Sequence, residues 1–246
     1  MAWYRKRKIV SVIAGLACAV VATMALAVPG PVSCGLVAQI GLDVLPDGTR
    51  VQRDSTPEQR LAVIQLQAQA RLRIADMFGP AKARPVLVFL NDASAFYPLA
   101  FNAFGSAHFI GNRACVVIGP KGTNVDVVSH ELMHAELLAR LGFWHRMMDI
   151  PVWFDEGLAM QVDWRPRYDL ETGSSQQQVA GVRSLVSVGQ FNRGNDAEVT
   201  HHYMFAKAEV SRWLEASGRK NFYEAMARIR AGESFGAIVD GQALRQ

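Results

Sequence analysis

Apolar and polar positions along this chain follow two rhythms, one of period 3.6 and one of period 2, and their order predicts an α+β domain. Gly35 to Val51 is short and irregular, with Leu36, Val37, Ile40 and Val44 marking a first strand. Ser55-Thr56-Pro57-Glu58 then opens a helix. Thr56 suits the cap, and Pro57 suits the first helical position, where its missing N–H is not needed. The helix is predicted to run to Phe78 and stop at Gly79-Pro80, with Leu61, Ile64, Ala68, Leu72, Ala75 and Phe78 as its core stripe. Val86 to Leu90 reads as a buried strand, followed by a loop with a short helix through Asn102. Ala107–Ile110 and Ala114–Ile118 read as a strand pair joined by Gly111-Asn112-Arg113. A helix is predicted over Thr123 to Leu141, ended by Gly142, with Val127, Val128, Leu132, Leu137, Leu138 and Leu141 at helical spacing.

The second half reads as mostly helical. Arg165 to Gln178 is polar and is predicted to be a surface loop, and Ser184 to Phe191 a short helix. His201 to Gly218 is predicted as an amphipathic helix with Tyr203, Ala206, Val210, Trp213 and Leu214 on one side. Asn221 to Ile229 is another, and Ser234 to Val239 starts the last. No internal repeat or second domain is visible, so residues 31–246 are taken as one domain with a small mixed sheet and a helical C-terminal part.

Residues 1–30 are set apart by their composition. A basic head, Arg5-Lys6-Arg7-Lys8, precedes a run from Ile9 to Val28 without a charge, broken by Pro29-Gly30-Pro31. This pattern predicts an export signal or an N-terminal membrane anchor. Ala25-Leu26-Ala27 offers a small-residue cleavage site, whereas the length of the apolar run favours an uncleaved anchor. Either way the basic flank stays inside and the domain lies outside the cytoplasm, in a periplasmic or equivalent space. These four residues also account for the net charge of +4: without them, the 22 acidic residues are matched one for one by basic ones. The folded part thus has no basic bias, and nucleic acid is not an expected partner. Of the three cysteines, Cys18 sits in the apolar run; Cys34 and Cys115 can pair in an oxidising compartment or remain two thiols.

The chemistry is concentrated in His130-Glu131-Leu132-Met133-His134. On a helix, four residues bring the two imidazoles back to nearly the same azimuth one turn apart, where both can reach one tetrahedral Zn²⁺. Glu131 points off that axis and is free to handle a proton on a water molecule. A third ligand is needed, and Glu156 in Pro151-Val152-Trp153-Phe154-Asp155-Glu156-Gly157-Leu158-Ala159 supplies a carboxylate on a separate short helix. Small Gly157 and Ala159 would let this helix approach the first closely, and Trp153 and Phe154 would wall the site.

These two motifs resemble those of the gluzincin metallopeptidases, and among them the peptidase MA-like domains, distantly similar to the aminopeptidase N type. The likeness extends to a tail in which a tyrosine opens a helix ending in Trp-Leu-x-x-x-Gly, here Tyr203 through Trp213-Leu214 to Gly218, so that it spans roughly residues 56 to 240. The resemblance implies a zincin-like fold, zinc held by His130, His134 and Glu156, and Glu131 as the general base. The spacing from His134 to Glu156 is longer than in the aminopeptidases and implies an insertion around Trp144 to Pro151. The motif with which aminopeptidases grip a substrate N-terminus has no counterpart here.

The expected reaction is zinc-dependent hydrolysis of a peptide bond in a peptide or protein substrate outside the cytoplasm. Glu131 would take a proton from the attacking water and return it to the leaving amine. Tyr203, with neighbouring His201 and His202, is a candidate second donor to the oxyanion, and Asp155 and Asp163 are candidates to orient the imidazoles. His108 and His145 are expected to be structural or exposed. The strand Ala107–Ile110 either holds substrate as an added strand or is an ordinary hairpin arm. Two other readings share the motif: a zinc-dependent amide hydrolase acting on cell-wall material, and an exported, non-catalytic zinc-binding module.

Overall fold

The computed structural model describes residues 42–92 and 103–243. The leader over residues 1–30, Cys34 of the proposed cysteine pair, and most of the segment after Leu90 lie outside them. Among the described residues no helix is long and apolar enough to cross a membrane.

The class is α+β. Five strands form one mixed sheet: β1 (Asp43–Val44), β2 (Arg50–Val51), β3 (Val86–Phe89), β4 (Gly105–Ile110) and β5 (Arg113–Ile118), in the spatial order β1-β2-β3-β5-β4. β3 runs parallel to both β2 and β5, while β1–β2 and β4–β5 are antiparallel. β5 is flanked on both sides, and its Cys115-Val116-Val117-Ile118 run is buried throughout, the continuous apolar signature of a central strand. Among the described residues β4 forms one edge of the sheet and the short β1 the other.

The β1–β2 hairpin was not read in the sequence as such. Its turn centres on Asp47-Gly48, with Gly48 at a φ of 87° and the Asp47 carboxylate accepting from Thr49 N at 2.9 Å. That dipeptide is a recognised turn signal, and it lay inside a stretch taken as irregular.

Helix α1 (Pro57–Phe78) starts as predicted: Thr56 and Gln59 form a reciprocal capping box behind Pro57. Its core stripe does not follow the prediction. Val63, Ala70, Ile74 and Phe78 are buried, whereas Leu61 and Leu72 are exposed. The helix carries apolar residues around most of its circumference, so several stripes fit the sequence and the packing surface selects one.

Helix α2 (Val125–Leu141) is capped by Asn124 and ends at Gly142. It lies against β4, β5 and α1, and every residue from Val127 to Leu138 is buried. Burying Ser129 and Glu136 on such a helix demands partners. Ser129 donates to Val125 O at 2.6 Å. Glu136 accepts from Lys82 N, Ala83 N and Arg140 Nε, at 2.8, 2.7 and 2.7 Å, fixing the link between α1 and β3 to the centre of α2.

After α2 come α3 (Phe143–Met148), α4 (Val152–Ala159), a 3₁₀ turn at Pro166–Tyr168, α5 (Gln176–Gly181), α6 (Val188–Phe191), α7 (Asp196–Ser217), α8 (Phe222–Arg230) and α9 (Phe235–Ala243). Helix α3 occupies the place of the implied insertion. Helix α5 begins inside the stretch predicted as loop, on a Ser175–Gln178 capping box. Helix α7 starts five residues earlier than predicted, because Asn195 and Glu198 cap it reciprocally; Tyr203 therefore lies in its second turn and does not open it.

Helix α4 packs closely on α7 at Gly157. A Cβ on Gly157 would lie 2.4 Å from Ala206 O and 2.7 Å from a Val210 methyl. The small residue thus serves contact with α7, not the approach to α2 that the sequence suggested. Trp153 and Phe154 likewise face the core: Phe154 packs edge-on against Trp213 and Phe235. Replacing a helical glycine by alanine ordinarily gains about 1 kcal/mol, but forcing an atom into packed backbone costs about 1–3 kcal/mol. Gly157→Ala should therefore lower the unfolding free energy, read as a lower denaturation midpoint; a midpoint equal to or above wild type would contradict the tight α4–α7 contact.

Candidate metal centre and active site

His130 and His134 project from one face of α2, their rings at 79° with Nε2 atoms 3.2 Å apart. Glu156 reaches them from α4, its Oε2 lying 3.4 Å from His130 Nε2 and 3.6 Å from His134 Nε2. Ligand atoms of the three residues fall within 4.8 Å of one another, a grouping able to hold a metal ion.

Burial sharpens the point. Oε2 of Glu156 is buried without a hydrogen-bond partner, as few buried polar side-chain atoms are among the described residues. A lone pair on Glu156 turned toward two imidazole nitrogens, with nothing else to satisfy it, fits a cation-binding donor set.

Each imidazole has a carboxylate behind it. Nδ1 of His134 is 2.7 Å from Asp155 Oδ1, and the other oxygen of Asp155 accepts from Arg146 on α3. Arg146 in turn lies over the Phe109 ring of β4, its guanidinium carbon 3.9 Å from the centroid. Nδ1 of His130 faces Asp163 Oδ2 at 3.6 Å, beyond hydrogen-bond length. Asp163 lies beyond the helix of Glu156: α4 ends at Ala159 and a run of turns carries the chain on. That run is tied down from outside. Arg73 donates to Val162 O at 2.9 Å and to Asp126 Oδ1 at 2.5 Å, Asp126 also accepts from Trp164 N, and Arg165 pairs with Asp163.

The start of α4 is held without a side-chain cap. Its first amides donate to Val186 O and Leu185 O, both at 3.2 Å, so the segment leading into α6 is fastened to the ligand helix and walls the cleft.

The charges respond to this crowding. Burial opposes ionisation of Glu156, but the two imidazoles outweigh it and hold the carboxyl well below its usual range. Burial likewise opposes charge on His134, yet Asp155 and Glu156 raise its pKa well above the ordinary value. Glu131 moves the other way: burial raises its pKa, and the histidines offset this only in part.

Glu131 lines the same cleft, of about 610 Å³, with His130, His134, Glu156, Asp155, Arg146 and Tyr203. It fits there because its strand neighbour is Gly105, where a Cβ would lie 2.9 Å from Glu131 Cγ. Sequence reasoning passed over Gly105 and Arg146. A glycine inside a strand is a known mark of close approach and could have flagged the first; a lone arginine in an insertion gives no signal.

Tyr203 stands over the site, its ring 6.3 Å from that of His130 and backed by Tyr168 and Phe191. The Glu156 charge and burial raise its pKa well above that of a free phenol, keeping its O–H a donor. His201 and His202 do not join it. His202 Nδ1 bonds Phe191 O at 2.7 Å, and His201 stacks on Phe205 near Glu171. His108 is buried beside Ser106, and His145 pairs with Asp149 on the surface. The cleft wall that the sequence assigned to Trp153 and Phe154 is instead made by Phe109, Met147, Ile150, Val152, Val186 and Val188.

Comparison with family models, with curated proteins and with solved structures gives no match to this chain.

The Arg146–Asp155–His134 series predicts that Arg146→Met weakens divalent-metal binding about 10–100-fold, by loosening the carboxylate that orients His134. Competition against a chelator of known affinity measures this directly, and affinity unchanged from wild type would remove Arg146 from the site.

Proposed function

We propose that this chain is a zinc-dependent metallopeptidase of the gluzincin kind with a zincin-like fold, hydrolysing peptide bonds outside the cytoplasm. The observation that carries the reading is the convergence of His130, His134 and Glu156 from two separate helices, with Glu131 beside them in one open cleft. Two imidazoles and one carboxylate suit Zn²⁺ better than the oxygen-rich sites preferred by Mg²⁺ or Ca²⁺. Placement outside the cytoplasm rests on the basic and apolar character of residues 1–28.

Zn²⁺ held by these three residues would supply Lewis acidity, polarising a carbonyl and making water more acidic. The protein's own groups do the rest. Asp155 bonds His134 from behind and orients it toward Glu156, and Asp163 places its charge behind His130. Glu131, buried and with a raised proton affinity, accepts a proton from the attacking water and delivers it to the leaving nitrogen. Tyr203 keeps its phenolic proton and can donate to the oxygen that gains negative charge. A peptide backbone can lie along β4, whose Gly105, Ser106, Ala107 and Phe109 line the cleft.

Glu131→Gln should lower kcat by about 10²-fold or more while the metal stays bound, since the amide cannot take the proton. Tyr203→Phe should lower kcat by about 10²-fold with little change in KM, the mark of a donor used in the transition state. Peptidase assays on a mixed peptide library, with metal content measured in parallel, check both. Full turnover by Glu131→Gln would refute its role as base, and no cleavage of any peptide by the zinc-loaded wild type would refute the peptidase reading.

A further inference from the structure

The cleft has two chambers, and Gly105, His130, Glu131, Asn192 and Tyr203 line both. The larger is walled by the apolar side chains of Phe109, Met147, Ile150, Val152, Val186 and Val188. The smaller, of about 240 Å³, shares Glu131 and Tyr203 with it and is lined by two arginines, Arg165 and Arg167, and by the carboxylate of Asp196.

The two arginines differ in how firmly they are held. Arg165 commits Nε and Nη2 to buried Asp163. Arg167 donates Nη2 to Thr200 Oγ1 at 2.9 Å and lies 3.6 Å from Asp196, whose side chain is 96% exposed. An exposed pair of this kind contributes little, so Arg167 can turn to a better anion at small cost. Both guanidinium carbons sit 4.9 Å from the Tyr168 ring centroid, so one aromatic ring supports both groups.

Strand direction turns this asymmetry into a polarity. β4 begins at Gly105 beside the small chamber and runs past Ala107 and Phe109 along the large one. A peptide added antiparallel to β4 therefore ends C-terminally among the arginines. One added in the parallel sense would bring its N-terminal ammonium there instead, against two cations. Guanidinium groups favour the first arrangement, because they bind carboxylates through charge-assisted hydrogen bonds.

We infer that the small chamber is a carboxylate subsite, holding negative charge on the C-terminal side of the scissile bond while apolar residues on the N-terminal side fill the large chamber. The inference rests on the peptidase reading above and names its substrate class: peptides cut close to a free C-terminus or just before an acidic residue. The two sources of carboxylate share one chemistry and separate by experiment.

Full-length Glu131→Gln protein, which leaves the probe intact, is titrated with a fluorescein-labelled hexaleucine in three forms: free acid, C-terminal amide, and an amide whose last residue is Glu. Anisotropy is read with and without added Zn²⁺. Tighter binding of the free acid than of the plain amide, by about tenfold, assigns the chamber to the chain terminus; the same preference for the Glu-amide assigns it to an acidic side chain. In either case Arg167→Ala erases the preference, Arg167→Lys restores part of it, and added salt weakens it. Arg167 has an exposed side chain, and circular dichroism of the variants checks that folding is kept. Equal binding of all three forms, or a preference that survives Arg167→Ala, overturns the subsite yet leaves the peptidase reading standing. No binding of any form overturns both.

Discussion

A carboxylate oxygen buried unpaired against two imidazoles is the constraint around which the rest of this structure is arranged. Burying such groups without partners costs stability, so the fold must hold them there by force of packing elsewhere. Here the force is supplied from two directions. Helix α2 is enclosed on all sides and has no freedom to rotate His130 and His134 away. Helix α4 is pressed onto α7 through Gly157, which fixes the residue next to Glu156.

Around that point the supporting groups are arranged by distance from the imidazoles and the Glu156 carboxylate. Asp155 and Asp163 stand directly behind the imidazoles. Arg146 and Arg165 stand behind the carboxylates, and Arg73 anchors the backbone that carries Asp163. Each layer neutralises the one inside it, so charges that would be expensive alone are buried as an alternating series. The same layers shape the cleft: Arg146 covers Phe109 on one side, and Arg165 enters the small chamber on the other.

Much of this was legible in the sequence because it is local. The spacing of His130 and His134 is a property of one helical turn, and the Thr56 cap, the Gly79 stop and the Gly142 stop are written within a few residues. Asp155 and Asp163 could be named as candidates because they sit near Glu156 in the chain. What could not be read depends on which surfaces meet. The buried stripe of α1 is chosen by its neighbours from several that the residues allow. Gly157 was identified as a close-contact residue but assigned to the wrong partner helix, and Trp153 and Phe154 were assigned to the cleft when they fill the core. The early start of α7 was a local signal overlooked, since Asn195 and Glu198 spell a capping box. Arg146 and Gly105 belong to the site only through contacts across the fold.

The central claim is that His130, His134 and Glu156 hold one metal ion jointly. Metal analysis of the purified full-length protein beside His134→Ala, after equilibration with Zn²⁺ in a chelator-buffered solution, tests it most directly. The account predicts one ion per chain in the wild type and loss of that ion in the variant, with its circular dichroism spectrum unchanged. Equal metal content in the two proteins, or none in the wild type, would contradict it.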